Sequence, residues 1–247
     1  MWLGLLGVAM FAVTLPMTRL ATGTAEAPQL SPWFVTFGRA CLAGALSIVL
    51  LLLTRAPWPT RAQRRPLALA VLGNVLGFPL LLGFALRLVN SSHAAVVIAL
   101  LPLVTAATAA WVMGQRARWG FWLSAAVGAG LVLLYSLVRA RQHSGGFALQ
   151  WADLLLLGAV LLAALGYVYG AQVTPSLGAE RVICWICVMA LPVTLPGALL
   201  TWPQHPIGLP AWLGLLYVGV FSMWAGFFAW FRGLALGGAL RVSQVQL

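Results

Sequence analysis

The chain has 247 residues, of which 62% are hydrophobic and only 7% charged, and its mean hydropathy is +1.00. A soluble domain carries about a quarter charged residues, so this composition excludes one and implies an integral membrane protein with several spans. The net charge of +11 comes from fourteen arginines set between apolar runs, not gathered in one patch; that argues against nucleic acid and for arginines that mark one face of a membrane.

Apolar runs, read against prolines, glycines and charges, give nine segments: Met1–Leu20, Pro32–Leu53, Pro66–Leu86, Ala94–Met113, Trp119–Val138, Asp153–Val173, Arg181–Leu200, Pro210–Phe231 and Ala239 to the end. An all-α fold follows. Runs of about twenty apolar residues cross a bilayer as helices. The first run is not a secretory leader, despite Ala25-Glu26-Ala27. No positive charge precedes it, and Pro16 and Arg19 interrupt its end. In the second, Arg39 lies about two turns from an end and is expected to snorkel to the interface.

The third segment holds Gly73 and Gly77, a G-x-x-x-G spacing suited to helix contact. Asn74 stands between them, followed by Phe78 and Pro79. A lone amide inside a span needs a partner, and a wet cavity supplies one. The fourth segment opens on Asn90, Ser91, Ser92 and His93. Ser91 or Ser92 is expected to cap the helix. His93 is the one histidine that could titrate near a path. Pro102 then removes an internal hydrogen bond, and the alanines around it allow close packing or leave room for a ligand.

After the loop at Gly145-Gly146, the sixth segment carries Tyr167 and Tyr169 on different faces, so at most one reaches a cavity. In the seventh, Cys184 and Cys187 form a C-x-x-C within RVICWICVMAL and read as buried small hydrophobes. The eighth carries Tyr217, Phe221, Trp224, Phe228 and Phe231, spaced four, three, four, three along one face of an α-helix. Interfacial belts explain the end residues but not Trp224, at mid-span. Ala239 to Leu247 is too short to cross, so a ninth span, and a tenth after it, are expected to continue beyond this sequence. Candidate substrate-binding residues are therefore Asn74, Phe78, His93, Tyr167, Trp224, Phe228, Ser243 and Gln244.

With the N-terminus cytoplasmic, inner loops hold eight arginines (Arg55, Arg61, Arg64, Arg65, Arg116, Arg118, Arg181, Arg232) against four outside (Arg19, Arg87, Arg139, Arg141). Laying GFALRLVNSSHAAVVIAL over FAWFRGLALGGALRVSQV pairs Arg87 with Arg232 on opposite sides of the membrane. That is the pattern of an inverted repeat. The expected organisation is a first repeat over residues 1–138, a connecting loop over 139–152 and an incomplete second repeat over 153–247.

Four stretches resemble the drug/metabolite transporter superfamily in its ten-span EamA branch. They are Ser31-Pro32 leading to Arg39, Asn90-Ser91-Ser92 through Pro102 to Gly114-Gln115, Asp153-Leu154 leading to Ala163-Ala164-Leu165-Gly166, and Ala239 to Leu247. Gln115 departs from the Gly-Glu pair usual there. The aromatic content of the eighth segment is similar to aromatic amino acid exporters of the YddG type. The resemblance implies ten helices in two inverted five-helix repeats, a bacterial inner-membrane location and export of metabolites. It implies a bilayer and a small-molecule substrate as partners, in a monomer or weak oligomer.

Glu26, Asp153 and Glu180 are the chain's three acids, and all fall at span ends or in loops. Proton-coupled transporters commonly carry an intramembrane carboxylate, so transport is expected without a proton relay. Polycationic ligands lack a counter-charge. A neutral or zwitterionic solute fits better, its carboxylate on helix amides or an arginine and its side chain on aromatic faces. The alternative is a broad exporter of hydrophobic drugs. An intramembrane enzyme would need clustered acids, paired histidines or a metal set, so neither catalysis nor a cofactor is expected.

Overall fold

The computed structural model describes residues 2–114, nine positions between 119 and 134, and residues 151–237. Among these residues, seven helices are long and apolar enough to cross a membrane. They are α1 (Trp2–Thr22), α2 (Pro32–Leu53), α3 (Arg61–Leu88), α4 (Ser91–Met113), α5 (Trp151–Leu177), α6 (Ala179–Leu200) and α7 (Leu209–Gly237). They correspond to the first four and the sixth to eighth apolar segments. The fifth is helical at the positions described; the ninth, with Ser243 and Gln244, lies outside the described residues.

The largest boundary difference is at α3, which begins at Arg61, five residues before Pro66. The polar turn RAQRR is helical because Gln63 reaches back: its Oε1 accepts from the Thr60 N–H at 2.9 Å. Its Nε2 donates to Ser176 Oγ at 2.9 Å. Such capping chemistry is invisible to hydropathy. At α2 the Ser31 hydroxyl accepts from the Phe34 N–H at 3.0 Å, and Pro32 occupies the first helical turn. The capping expected at α4 does not occur. Asn90 takes the cap position with no side-chain bond, and Ser91 and Ser92 are already inside the helix.

The connection from α5 to α6 is one residue, Gly178, at φ 86°. A Cβ is strained there, so glycine makes the hairpin possible. The helices pack α2 on α6, α1 on α7, and α5 on both α3 and α4. Small residues allow the close approach of α3 and α5. A Cβ on Gly166 of α5 would overlap the Asn74 side chain, and one on Gly73 of α3 would overlap the Gly166 backbone. The two glycines therefore serve one contact between helices. Cys184 and Cys187 are fully buried and free. Leu52, Leu53, Leu199 and Leu200 remain exposed, as residues facing acyl chains must.

Two clusters of bonds hold opposite ends of the bundle. At the α1–α2 end, Arg19 donates to the carbonyls of Leu86 and Val89, and Arg87 to that of Leu30 at 3.1 Å. At the α2–α3 end, Gln63 meets Ser176 and Arg232 lies 3.4 Å from Glu180. Gly166→Ala is expected to destabilise the protein by about 1–3 kcal/mol through overpacking, read as a lower unfolding temperature in detergent. Gly120→Ala, at a helical position where a Cβ meets nothing within 4 Å, should not lower that temperature, since alanine favours helix over glycine.

Candidate functional site

Four helices lose regular α geometry at mid-depth. α1 breaks at Val13, between Trp2–Ala12 and Thr14–Thr22. Pro16 offers no N–H to the Ala12 carbonyl. α4 breaks between Ile98 and Leu101, because Pro102 offers none to Ile98. α3 is π-helical over Val71–Gly77, where the Phe78 N–H donates to Gly73 O, five residues back. Pro79 withholds the N–H that Val75 would use. α7 is π-helical over Val218–Ala225, with the Gly226 N–H donating to Phe221 O. Irregular backbone at membrane depth survives only where protein covers it or water reaches it, and π segments often mark functional positions.

All four irregular stretches border one cavity of about 190 Å³. One wall is aromatic. Phe11 lies 5.1 Å from Phe227 and 6.5 Å from Tyr167, centroid to centroid, and Tyr167 lies 5.9 Å from Phe227. Trp230 backs Tyr167 at 5.3 Å. Each such pair is worth about 0.5–1.5 kcal/mol beyond burial, so the rings hold one another in place against separation. Val8, Leu15, Phe78, Ile98 and Leu101 supply further apolar surface.

The polar lining is Thr14, Arg39, Asn74 and Ser222. Ser222 Oγ accepts from Thr14 Oγ1 at 2.8 Å and from Arg39 Nη2 at 3.0 Å, tying α1, α2 and α7 together. Arg39 is only 2% exposed, and its Nε and Nη1 have no hydrogen-bond partner among the described residues. The expected snorkelling is thus corrected. The side chain crosses sideways to the π segment of α7, where Ser222 meets it, and does not climb to the interface. An arginine at the bilayer centre costs about 2.5–3.5 kcal/mol on insertion scales; here the bundle and cavity stand in for lipid. Asn74 is buried too, and neither amide atom has a partner among the described residues.

Of the sequence candidates, Asn74, Phe78 and Tyr167 line this cavity. Trp224 and Phe228 do not; they pack against each other at 4.7 Å. The cavity is faced instead by Ser222 and Phe227, five positions apart, a spacing that shares a face where i→i+5 bonds add a residue to the turn. Tyr217 instead donates to Met10 O at 3.0 Å, Phe221 is 46% exposed and Phe231 is fully buried. Phe227 and Ser222 take the cavity-facing positions, and nothing in the sequence singles them out. Arg39 did carry a signal, its cost within a span.

His93 is not on the cavity wall either. Its Nε2 lies 2.6 Å from Asp153 Oδ1 at the α1–α2 end, joining α4 to α5. That end also holds a second hollow of about 560 Å³, open to the outside and bordered by Pro16, Arg19, Gln29 and Pro210. Leu15 faces the deep cavity and Pro16 the shallow one, so the second half of α1 borders both.

Apolar helices around a mid-depth cavity, with broken backbone at its walls, define a multi-pass membrane transporter. The EamA-like transporter family matches residues 1–137 and 150–247, and the chain belongs to that family. It is 40% identical over 246 residues, 99% of this chain and 82% of the other, to an uncharacterized transporter, YdeK, of Bacillus subtilis (strain 168). A crystal structure at 18% identity shares the fold, with a TM-score of 0.69 over 99% of this chain and 85% of that one. Ser222→Ala would strand Arg39 and Thr14 without their shared acceptor. It should cost about 1–3 kcal/mol, seen as a lower unfolding temperature, whereas exposed Leu236→Ala should have little effect.

Proposed function

We propose that this protein exports small neutral or aromatic amino acids and similar metabolites across the bacterial inner membrane, as aromatic amino acid exporters of the YddG type do. The reading rests on one observation: a mid-depth cavity with an aromatic wall facing polar groups, from which carboxylates are absent. The chain's three acids lie elsewhere: Glu26 in the α1–α2 connection, Asp153 on His93 and Glu180 on Arg232. The side chain of an amino acid would lie on Phe11, Tyr167 and Phe227. Its polar end would face Asn74 and Ser222. A hydrophobic cation would meet Arg39 with nothing to offset the repulsion, which disfavours the multidrug alternative.

Alternating access is the natural mechanism for this layout. The second half of α1 separates the open hollow from the deep cavity. The breaks at Val13 and at Ala99-Leu100, with the two π segments, are the hinges, lying beside Pro16, Pro102 and Pro79. Two inverted repeats of a five-helix plan, the first over 1–138 and the second, incomplete in this sequence, over 153–247, fit the same picture. The family matches the chain twice. The shift of 145 positions that pairs Arg87 with Arg232 carries Val71–Gly77 onto residues 216–222, overlapping the π segment of α7. Under the same exchange, the packing of α3 on α5 becomes that of α7 on α1.

In proteoliposomes, labelled phenylalanine should exchange by counterflow at full rate with no proton gradient. Tyr167→Ala should slow it at least tenfold, while Trp224→Ala, with normal expression, stays near wild type. Strict dependence on a gradient, or equal loss in both variants, would count against this mechanism.

A further inference from the structure

The charge balance of the cavity is incomplete. Arg39 is buried at 2% exposure and borders the cavity. A guanidinium stays protonated in proteins and offers five N–H donors. Among the described residues, one of its nitrogens has a partner, the neutral Ser222 hydroxyl, and two have none. No acid in the chain is placed to neutralise it: Asp153 and Glu180 face His93 and Arg232, and Glu26 is exposed in a connection. Asn74 adds an amide with no partner among the described residues. A buried cation without a counter-ion is costly, and binding its counter-ion relieves that cost.

We infer that Arg39 is the docking point for a carboxylate, so that the substrate class is set by one negative charge beside an apolar or aromatic tail, and the α-amino group is dispensable. This rests on the transport reading above and narrows it. A guanidinium takes a carboxylate through two parallel hydrogen bonds. Both forks of the guanidinium use Nη2, with Nε on one side and Nη1 on the other. Ser222 takes one of the two Nη2 hydrogens, and the other, beside an unpaired nitrogen, is left for the carboxylate. The aromatic wall of Phe11, Tyr167 and Phe227 receives the tail. A zwitterion brings the same carboxylate but also an ammonium, for which the cavity holds only neutral acceptors. It leaves the net charge of the site unchanged at +1. A monocarboxylate cancels it, and in a low-dielectric pocket that difference favours the monoanion.

The test is calorimetric binding to purified protein in detergent at neutral pH, with 3-phenylpropionate, phenylalanine and phenylalaninamide as probes. 3-Phenylpropionate should bind at least as tightly as phenylalanine, and the cationic amide at least tenfold more weakly than either. Arg39→Gln should weaken the two acids at least tenfold, and Arg39→Lys should restore part of that loss. Equal binding of acid and amide by the wild-type protein overturns the carboxylate site but leaves amino acid transport standing, and needs no variant to fold. Tight 3-phenylpropionate with no phenylalanine binding supports the site and removes the amino acid reading. No binding of any probe to folded protein removes both.

Discussion

The structure depends on one constraint: inside a bilayer every backbone N–H and C=O must find a partner within the protein or in water admitted by it. Regular helices meet that demand alone. The mid-depth stretches at Val13, Val71–Gly77, Ala99-Leu100 and Val218–Ala225 are not regular α-helix. They are tolerable only where something other than lipid covers them, and all four converge on one hollow. Cavity and irregularity are two aspects of one arrangement. The breaks release polar backbone, and residues at each of them line the hollow.

The same logic governs the side chains. Arg39, Asn74, Thr14 and Ser222 would each be penalised against acyl chains, and each borders the cavity. Ser222 is the joint, accepting from both Thr14 and Arg39, so three helices share one oxygen. The arginine is therefore positioned from two sides and held at a depth where its charge acts strongly on whatever enters. Close helix packing makes this possible. Gly166 lets α5 press onto α3 beside Asn74, placing the amide and Tyr167 on the same chamber.

Much of this was legible in the amino acids. Hydropathy located seven described spans, because bilayer thickness sets the length of each run. Pro102 marked a helix break, since a missing N–H acts locally whatever the surroundings. Asn74 and Tyr167 were legible as polar or amphipathic residues deep in a span. Trp224 and Phe228 show where such reasoning fails. Their four-residue spacing does bring them together, but the face turned to the cavity pairs Ser222 with Phe227 across the π segment of α7, which has no proline inside it to give warning. His93 failed differently. Its partner Asp153 lies 60 positions away, and only the packing of α4 on α5 brings them together.

By itself, then, the sequence determined what short-range physics controls: a multi-pass helical protein, the approximate ends of its spans and the prolines that interrupt them. The tertiary structure alone decided which faces turn inward. A helical face is chosen by its neighbours, and packing turned Ser222 and Phe227, not Trp224 and Phe228, toward the cavity. It also decided the course of Arg39, since the hydroxyl that receives the guanidinium stands 183 positions further along the chain and no local pattern encodes that meeting.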